Sequence, residues 1–233
     1  MEDKMENKDQ WCFAWVPQVP AIAGKSRGAI LKDATWDKGE TITVSFLDGD
    51  PALQKRVREM AQRWTGPGMA NLSIDFLNHN NTDIRISFKN KGSWSLLGTF
   101  CRDRTDKSLP TMNYGWLTPD SSEDALRRVV LHEFGHALGF IHEHQNPLNS
   151  IEWNRDAVIA ELQGPPNNWS LEDIEVNMFE QPSPSEVFGT PVDKSSIMMY
   201  PIPASWTKDG FSVGLNTELS PKDRELAKQV YPQ

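Results

Sequence analysis

The sequence predicts an α+β protein, on three observations. Five short segments with strand-like alternation fall before residue 117, two long helical patterns accompany them, and beyond Glu143 the chain turns to Pro, Asn and Trp with short helical patches and one well-capped final helix. With 233 residues and 38% hydrophobic content the chain can bury a real core. The expectation is one domain with a cleft.

Residues 1–27 read as an N-terminal extension, a candidate pro-segment: charged first, then Pro-rich, then Gly24-Lys25-Ser26-Arg27-Gly28, which a protease can reach. Strand alternation begins at Thr41, with Ile42, Val44 and Phe46 on one face and Asp48-Gly49 closing it. Asp50 and Pro51 read as N-cap and first helical residue. Leu53, Val57, Met60, Ala61 and Trp64 then form an apolar stripe up to Gly66-Pro67-Gly68. Two further alternating runs, Leu72-Ile74-Phe76 and Ile84-Ile86-Phe88, are joined by turn-forming Asn78 to Asn81 and suit neighbouring strands. His79 in that turn reads as a solvated loop residue. Residues 92–99, bracketed by glycines, have the composition of an edge strand that another backbone approaches. Thr111 to Trp116 gives the last strand before the second long helix. Ser121 and Asp124 have capping-box spacing at its start, and Leu126, Val130, Phe134 and Leu138 make a buried stripe. At the far end Ser220, Pro221 and Asp223 specify a helix start, followed by Leu226 and Val230.

The second long helix carries the chemistry, in the stretch His132-Glu133-Phe134-Gly135-His136-Ala137-Leu138-Gly139-Phe140-Ile141-His142-Glu143. His132 and His136, one turn apart, share a helical face, so both imidazoles can reach one metal ion. Glu133, about 100° further round, can point at a water activated by that metal. Gly139 suits a left-handed helix end, which lets the chain turn back so that His142 adds a third nitrogen. Three protein ligands leave a fourth position open, which marks catalytic rather than structural zinc. A chain of this length shows the two-histidine motif by accident on the order of once in two hundred, and the glycine and third histidine lower that about a thousandfold.

Composition excludes other classes. A net charge of -8 argues against nucleic acid or an anionic membrane as partner. No apolar run approaches the roughly 18 to 20 residues of a membrane span, and residues 1–23 make a poor signal peptide. Cys12 and Cys101 are too few for a disulfide framework; they either form one bridge or stay thiols.

These residues resemble a known family. The stretch 132–143 matches the extended zinc motif of the metzincin endopeptidases, and Glu143 after the third histidine is characteristic of the astacin branch. Ser196-Ile197-Met198-Met199-Tyr200 looks like the astacin Met-turn, with Met199 where a histidine is usual. Gly28-Ala29-Ile30-Leu31, Trp36 and the strand at Ile42 to Phe46 are similar to the start of mature astacins, and Gly92 to Gly98 resembles their substrate-binding edge strand. The likeness covers roughly residues 28 to 231. It lacks the paired disulfides common in animal astacins and their pro-segment aspartate.

The resemblance implies a two-lobed zincin-like domain over residues 28–233. An upper lobe, 28–139, carries a twisted mixed five-stranded sheet and two long helices. An irregular lower lobe, 140–233, ends in a C-terminal helix, and the cleft between the lobes holds one Zn2+ per chain. It implies a monomeric zinc endopeptidase that hydrolyses internal peptide bonds of protein or peptide substrates added as a strand at residues 92–98. Glu133 is then the general base; His132, His136 and His142 are the ligands. Tyr200 becomes a weak fifth ligand that turns to the oxyanion, Met198 a hydrophobic floor, and Glu143 a partner for a mature N-terminal amine near Gly28 or Ala29. The family is secreted, although no signal peptide is recognisable. Cys12, the one soft ligand in residues 1–27, is a candidate inhibitory ligand for the open position. His144 reads as a surface residue or one behind the ligands. The rival class is a catalytically silent zinc-fold binding protein acting through its cleft; an intact Glu133 argues against it.

Overall fold

Alternating apolar residues around Ile42 and Val44 place a strand, β3 (Thr41–Phe46), at the heart of a mixed sheet. The computed structural model describes residues 13–15, 30–148, 151–165, 167–189 and 191–233. The other strands of the sheet are β1 (Phe13–Trp15), β4 (Ser73–Phe76), β5 (Ile84–Ser87), β6 (Ser93–Leu96) and β7 (Met112–Tyr114), in the order β1-β6-β7-β5-β3-β4. β3, β4, β5 and β7 run parallel to their neighbours among themselves, and β6 pairs antiparallel with β7. A second, two-stranded sheet joins β2 (Ile30–Leu31) to β8 (Val187–Phe188).

The runs at 72–76 and 84–88, which their alternation and short turn suit as neighbours, do not pair with each other. β3 lies between them and pairs with both. Asp83 supplies the physical reason. Its carboxylate accepts from the Thr43 amide and hydroxyl at 3.0 and 2.7 Å, and this ties the entry of β5 to the free side of β3.

Helix α1 (Pro51–Ala61) begins where Asp50 accepts from the Ala52 amide, and it buries Leu53, Val57 and Ala61. It packs on α2 (Glu123–Ala137), whose stripe Leu126, Val130, Phe134 and Leu138 is buried against the sheet. Each such side chain contributes about 1.5–3 kcal/mol of burial. The cap of α2 is Ser122, which accepts from the Ala125 amide. Ser121, the expected cap, serves the preceding turn through the Thr118 amide. At the other end Trp36 Nε1 and Tyr231 Oη donate to the carbonyls of Ala137 and Leu138, so two orphan acceptors of the helix terminus are satisfied from both ends of the described chain.

Two cores result. The larger surrounds α2 and takes in Leu226, Ala227 and Tyr231 at α5 (Pro221–Val230), the final helix. The smaller gathers Val158 and Leu162 of α3 (Arg155–Gln163), Ile174 of α4 (Leu171–Ile174), Met178, Met199, Tyr200, Ile202 and Trp206. No helix among the described residues is long and apolar enough to cross a membrane.

Candidate metal centre

The last turn of α2 places His132 and His136 with ring centroids 4.7 Å apart, one edge-on to the other. The helix then stops in a Schellman arrangement: the Gly139 amide bonds His136 O and the Phe140 amide bonds Gly135 O, with Gly139 at φ +88. The Leu31 amide donates to Gly139 O at 3.0 Å and holds the reversed chain in place. That reversal carries His142 back to the helix face, with its ring 4.7 Å from that of His136.

The three rings are oriented by what their Nδ1 atoms meet. His132 Nδ1 faces Ile197 O and His136 Nδ1 faces Phe140 O, both at 2.8 Å. A carbonyl oxygen only accepts, so both rings carry the proton on Nδ1 and present a bare Nε2. His142 Nδ1 faces Gln145 Oε1 at 3.3 Å. The metal-facing nitrogens lie within 4.8 Å of one another, and the Nε2 atoms of His136 and His142 approach to 3.2 Å. Two bare nitrogens at that distance suit a shared cation, since tetrahedral zinc with Zn–N bonds of about 2.05 Å separates its ligands by about 3.3 Å. His132 Nε2 is buried with no hydrogen-bond partner, as a ligand atom requires. Burial pushes His132 down to about 4, and burial together with the neighbouring imidazoles holds His142 well below its usual value. Neutral rings are the ligating form.

Around this centre stand the other residues singled out in the sequence. Glu133 is 1% exposed and lines a pocket with His132, Tyr200, Arg128, Trp116 and Leu215. The Tyr200 ring lies 4.2 Å from that of His142 and 6.2 Å from that of His132. Met198 packs beneath α2; a Cβ added at Gly135 would come within 2.3 Å of its Sδ. Glu143 is not a surface carboxylate. It is buried, accepts from the Asp193 amide and Asn146 Nδ2, and is pushed up to about 8 chiefly by burial, while its own amide bonds Met198 O. Residues Gly28 and Ala29, its suggested partners, lie outside the described residues, as does Cys12. Cys101 is a buried free thiol; its suggested partner Cys12 lies outside the described residues.

Four residues at the site carried no signal in spacing. His144, read as surface or behind the ligands, is fully buried, stacks on His142 and Tyr200, and donates through Nε2 to Asn177 O. Burial pushes it down to about 4. Asp223, read only as a helix-start residue, also accepts from Ser196 Oγ at 2.6 Å and the Ile197 amide at 2.9 Å; the turn 196–200 therefore hangs on α5. Gln145 and Arg128 complete the set. β6, the expected edge strand, is the outermost of the five strands β3 to β7, and β1 lies parallel along its outer side as a sixth, with Ala14 opposite Ser95.

No family model matches the chain. Two solved structures of myroilysin are similar. One is 39% identical with TM-score 0.85, covering 88% of this chain and 99% of that one. The other is 34% identical with TM-score 0.66, covering 96% and 100%. High choriolytic enzyme 1, a hatching enzyme zinc-protease from Oryzias latipes (medaka fish), shares the fold at 18% identity and TM-score 0.56, covering 89% of this chain and 98% of its own. The zinc metalloproteinase nas-30 of Caenorhabditis elegans is 28% identical over 198 residues, or 84% of this chain. The chain spans 23% of that curated relative's length.

Proposed function

The chain belongs to the astacin-like family of zinc metalloproteases, and on that premise we propose that it is a zinc-dependent endopeptidase that hydrolyses internal peptide bonds of proteins. The observation that carries this reading is the convergence of the imidazole nitrogens of His132, His136 and His142, with Glu133 beside His132 in the wall of a pocket. Its cofactor is Zn2+.

His132, His136 and His142 would hold the ion, with Tyr200 as a further, weak ligand. Bound zinc supplies a Lewis acid that polarises the scissile carbonyl and acidifies a water. Glu133 accepts that water's proton and returns it to the leaving amine. The Tyr200 hydroxyl hydrogen-bonds the developing oxyanion. Met198 supports the helix from below, and Glu143 ties the third ligand's segment to the turn 196–200. The cleft lies between the two cores, which suits an upper lobe 28–139 and a lower lobe 140–233 acting as one monomeric catalytic domain.

A peptide substrate adds as a strand to β6, where main-chain bonds give affinity. β1 uses that same edge, and this supports a latent form in which residues 1–27 cover the cleft. Digestion of casein or gelatin tests the activity. Glu133→Gln should lower cleavage by about 100- to 10,000-fold with zinc still bound, and a chelator should abolish it. A wild-type chain, with residues 1–27 removed, that binds zinc yet cleaves neither substrate would sink the reading in favour of a binding protein.

A further inference from the structure

The three histidines differ in what orients them. His132 and His136 give their Nδ1 protons to main-chain carbonyls, those of Ile197 and Phe140, which no substitution removes. His142 relies on a side chain, the amide of Gln145. That amide has one orientation available. Its Nε2 faces the carbonyls of Val176 and Glu180 at 2.7 and 3.2 Å, and carbonyls only accept, so Oε1 must be the atom that faces His142. Gln145 is 1% exposed, so no solvent competes for these bonds.

The far end of the tie is a π-helical turn, Glu175–Phe179, which follows α4 and closes with the Glu180 amide on Glu175 O at 2.9 Å. Carbonyls at the end of such a turn lack partners within the helix. Two of them are met from the short 3-10 turn Glu143–Gln145: Val176 O by Gln145 and Asn177 O by His144.

Resting on the reading that the three histidines hold zinc, we propose that Gln145 is a positioning residue for the third ligand. It fixes His142 as the Nδ1–H tautomer, aims Nε2 at the metal, and does so from the π-helical turn of the smaller core. The first two ligands thus stand on α2 and are oriented by main-chain carbonyls, and the third is oriented by a side chain tied to the smaller core. Partners of this kind, placed behind a ligand, are worth about 10- to 100-fold in metal affinity.

The test is zinc competition against a chromophoric chelator on the full chain, with thermal unfolding of the metal-free protein read alongside. Gln145→Met keeps the volume and removes every hydrogen bond; it should weaken zinc binding about 10- to 100-fold. Gln145→Glu keeps an oxygen that accepts from Nδ1–H but loses the donation to the carbonyls of Val176 and Glu180, so it should fall between wild type and Gln145→Met, weakened by less than about tenfold. Unchanged zinc affinity in Gln145→Met, or equal weakening in both variants, overturns the inference while leaving the zinc reading intact. Wild type that binds no zinc overturns both. Imidazole nitrogen NMR of the wild-type zinc form needs no variant to fold: all three ligands should be Nδ1–H tautomers, and an Nε2–H His142 would refute the assignment.

Discussion

His132 and His136 stand on a regular helix of fifteen residues, whereas His142 and Tyr200 stand on segments with almost no repeating structure. In the helical half, periodicity brings the ligands together, and the acceptors behind them are main-chain carbonyls. In the irregular half, functional residues are placed by a few individual side-chain bonds, some of them to distant parts of the chain. Ser196 and Ile197 hang on Asp223, Glu143 on Asp193 and Asn146, and His142 on Gln145. A regular element distributes its positioning over many equivalent bonds; an irregular one concentrates it in a few. Substitutions away from the ligands should therefore cost far more in the irregular half.

The largest effect on stability is expected at Asp223. Its carboxylate, 4% exposed, serves Ser196 Oγ and the amides of Ile197 and Ser220 together. Asp223→Ala leaves these donors without their acceptor, at about 1–3 kcal/mol each, so a loss of about 3–5 kcal/mol is expected. In a chain of this size that is a fall in Tm on the order of 10 °C, read by calorimetry, with zinc bound more weakly as the turn beneath it loosens.

Gly135→Ala probes the seam where the two halves meet. The new methyl would sit 2.3 Å from Met198 Sδ and 3.2 Å from the Trp64 ring. The helix itself gains from alanine, but overpacking costs about 1–3 kcal/mol and should win. A variant as stable as wild type would show that Met198 yields freely and is no floor.

What the sequence made legible follows the same division. Helix α1, helix α2 and the Gly139 reversal were readable because their signals lie within a few residues: Asp50 before Pro51, apolar positions one turn apart, a glycine at the helix end. So were the strand at Ile42 to Phe46 and the start of α5. The order of β4 and β5 was not, because Asp83 acts on Thr43 across 40 positions. Asp223 shows the limit within one residue. Its capping of α5 spans three positions and was legible, while its bond to Ser196 spans 27 and was not. Gln145 reaches the π-helical turn across 31. Spacing encodes neighbours along the chain, and the second half of this site also depends on contacts that are not.

A smaller effect is expected from the cap of the regular half. Ser122→Ala removes the acceptor for the Ala125 amide at an exposed helix start, a loss of about 1 kcal/mol. Tm should fall by about 2–4 °C, and zinc content should not change. If this variant lost as much stability as Asp223→Ala, the contrast between distributed and concentrated positioning would fail.

Cys101 offers the smallest effect on the site itself, a control that touches neither half. It sits in the turn Gly98–Asp103, 2% exposed, and burial, with Asp83 adding to it, pushes its thiol from 9.0 up to about 12. At pH 8 the native thiol should resist alkylation that proceeds once the chain unfolds, and Cys101→Ala should leave zinc content unchanged. The sign of its pH dependence follows from the raised value. Folding holds the thiol neutral while the unfolded chain ionises, so its contribution is fully present below about pH 9 and is lost as pH rises from there towards 12. Wild type should therefore lose up to about 1.4 kcal/mol per pH unit in that window beyond what Cys101→Ala loses, the free energy of a tenfold change in proton affinity. Unfolding midpoints in urea at pH 8 and pH 10, compared between the two proteins, measure it; parallel slopes would mean that the thiol is reached by solvent and that the turn beside the edge strand is looser than its burial implies.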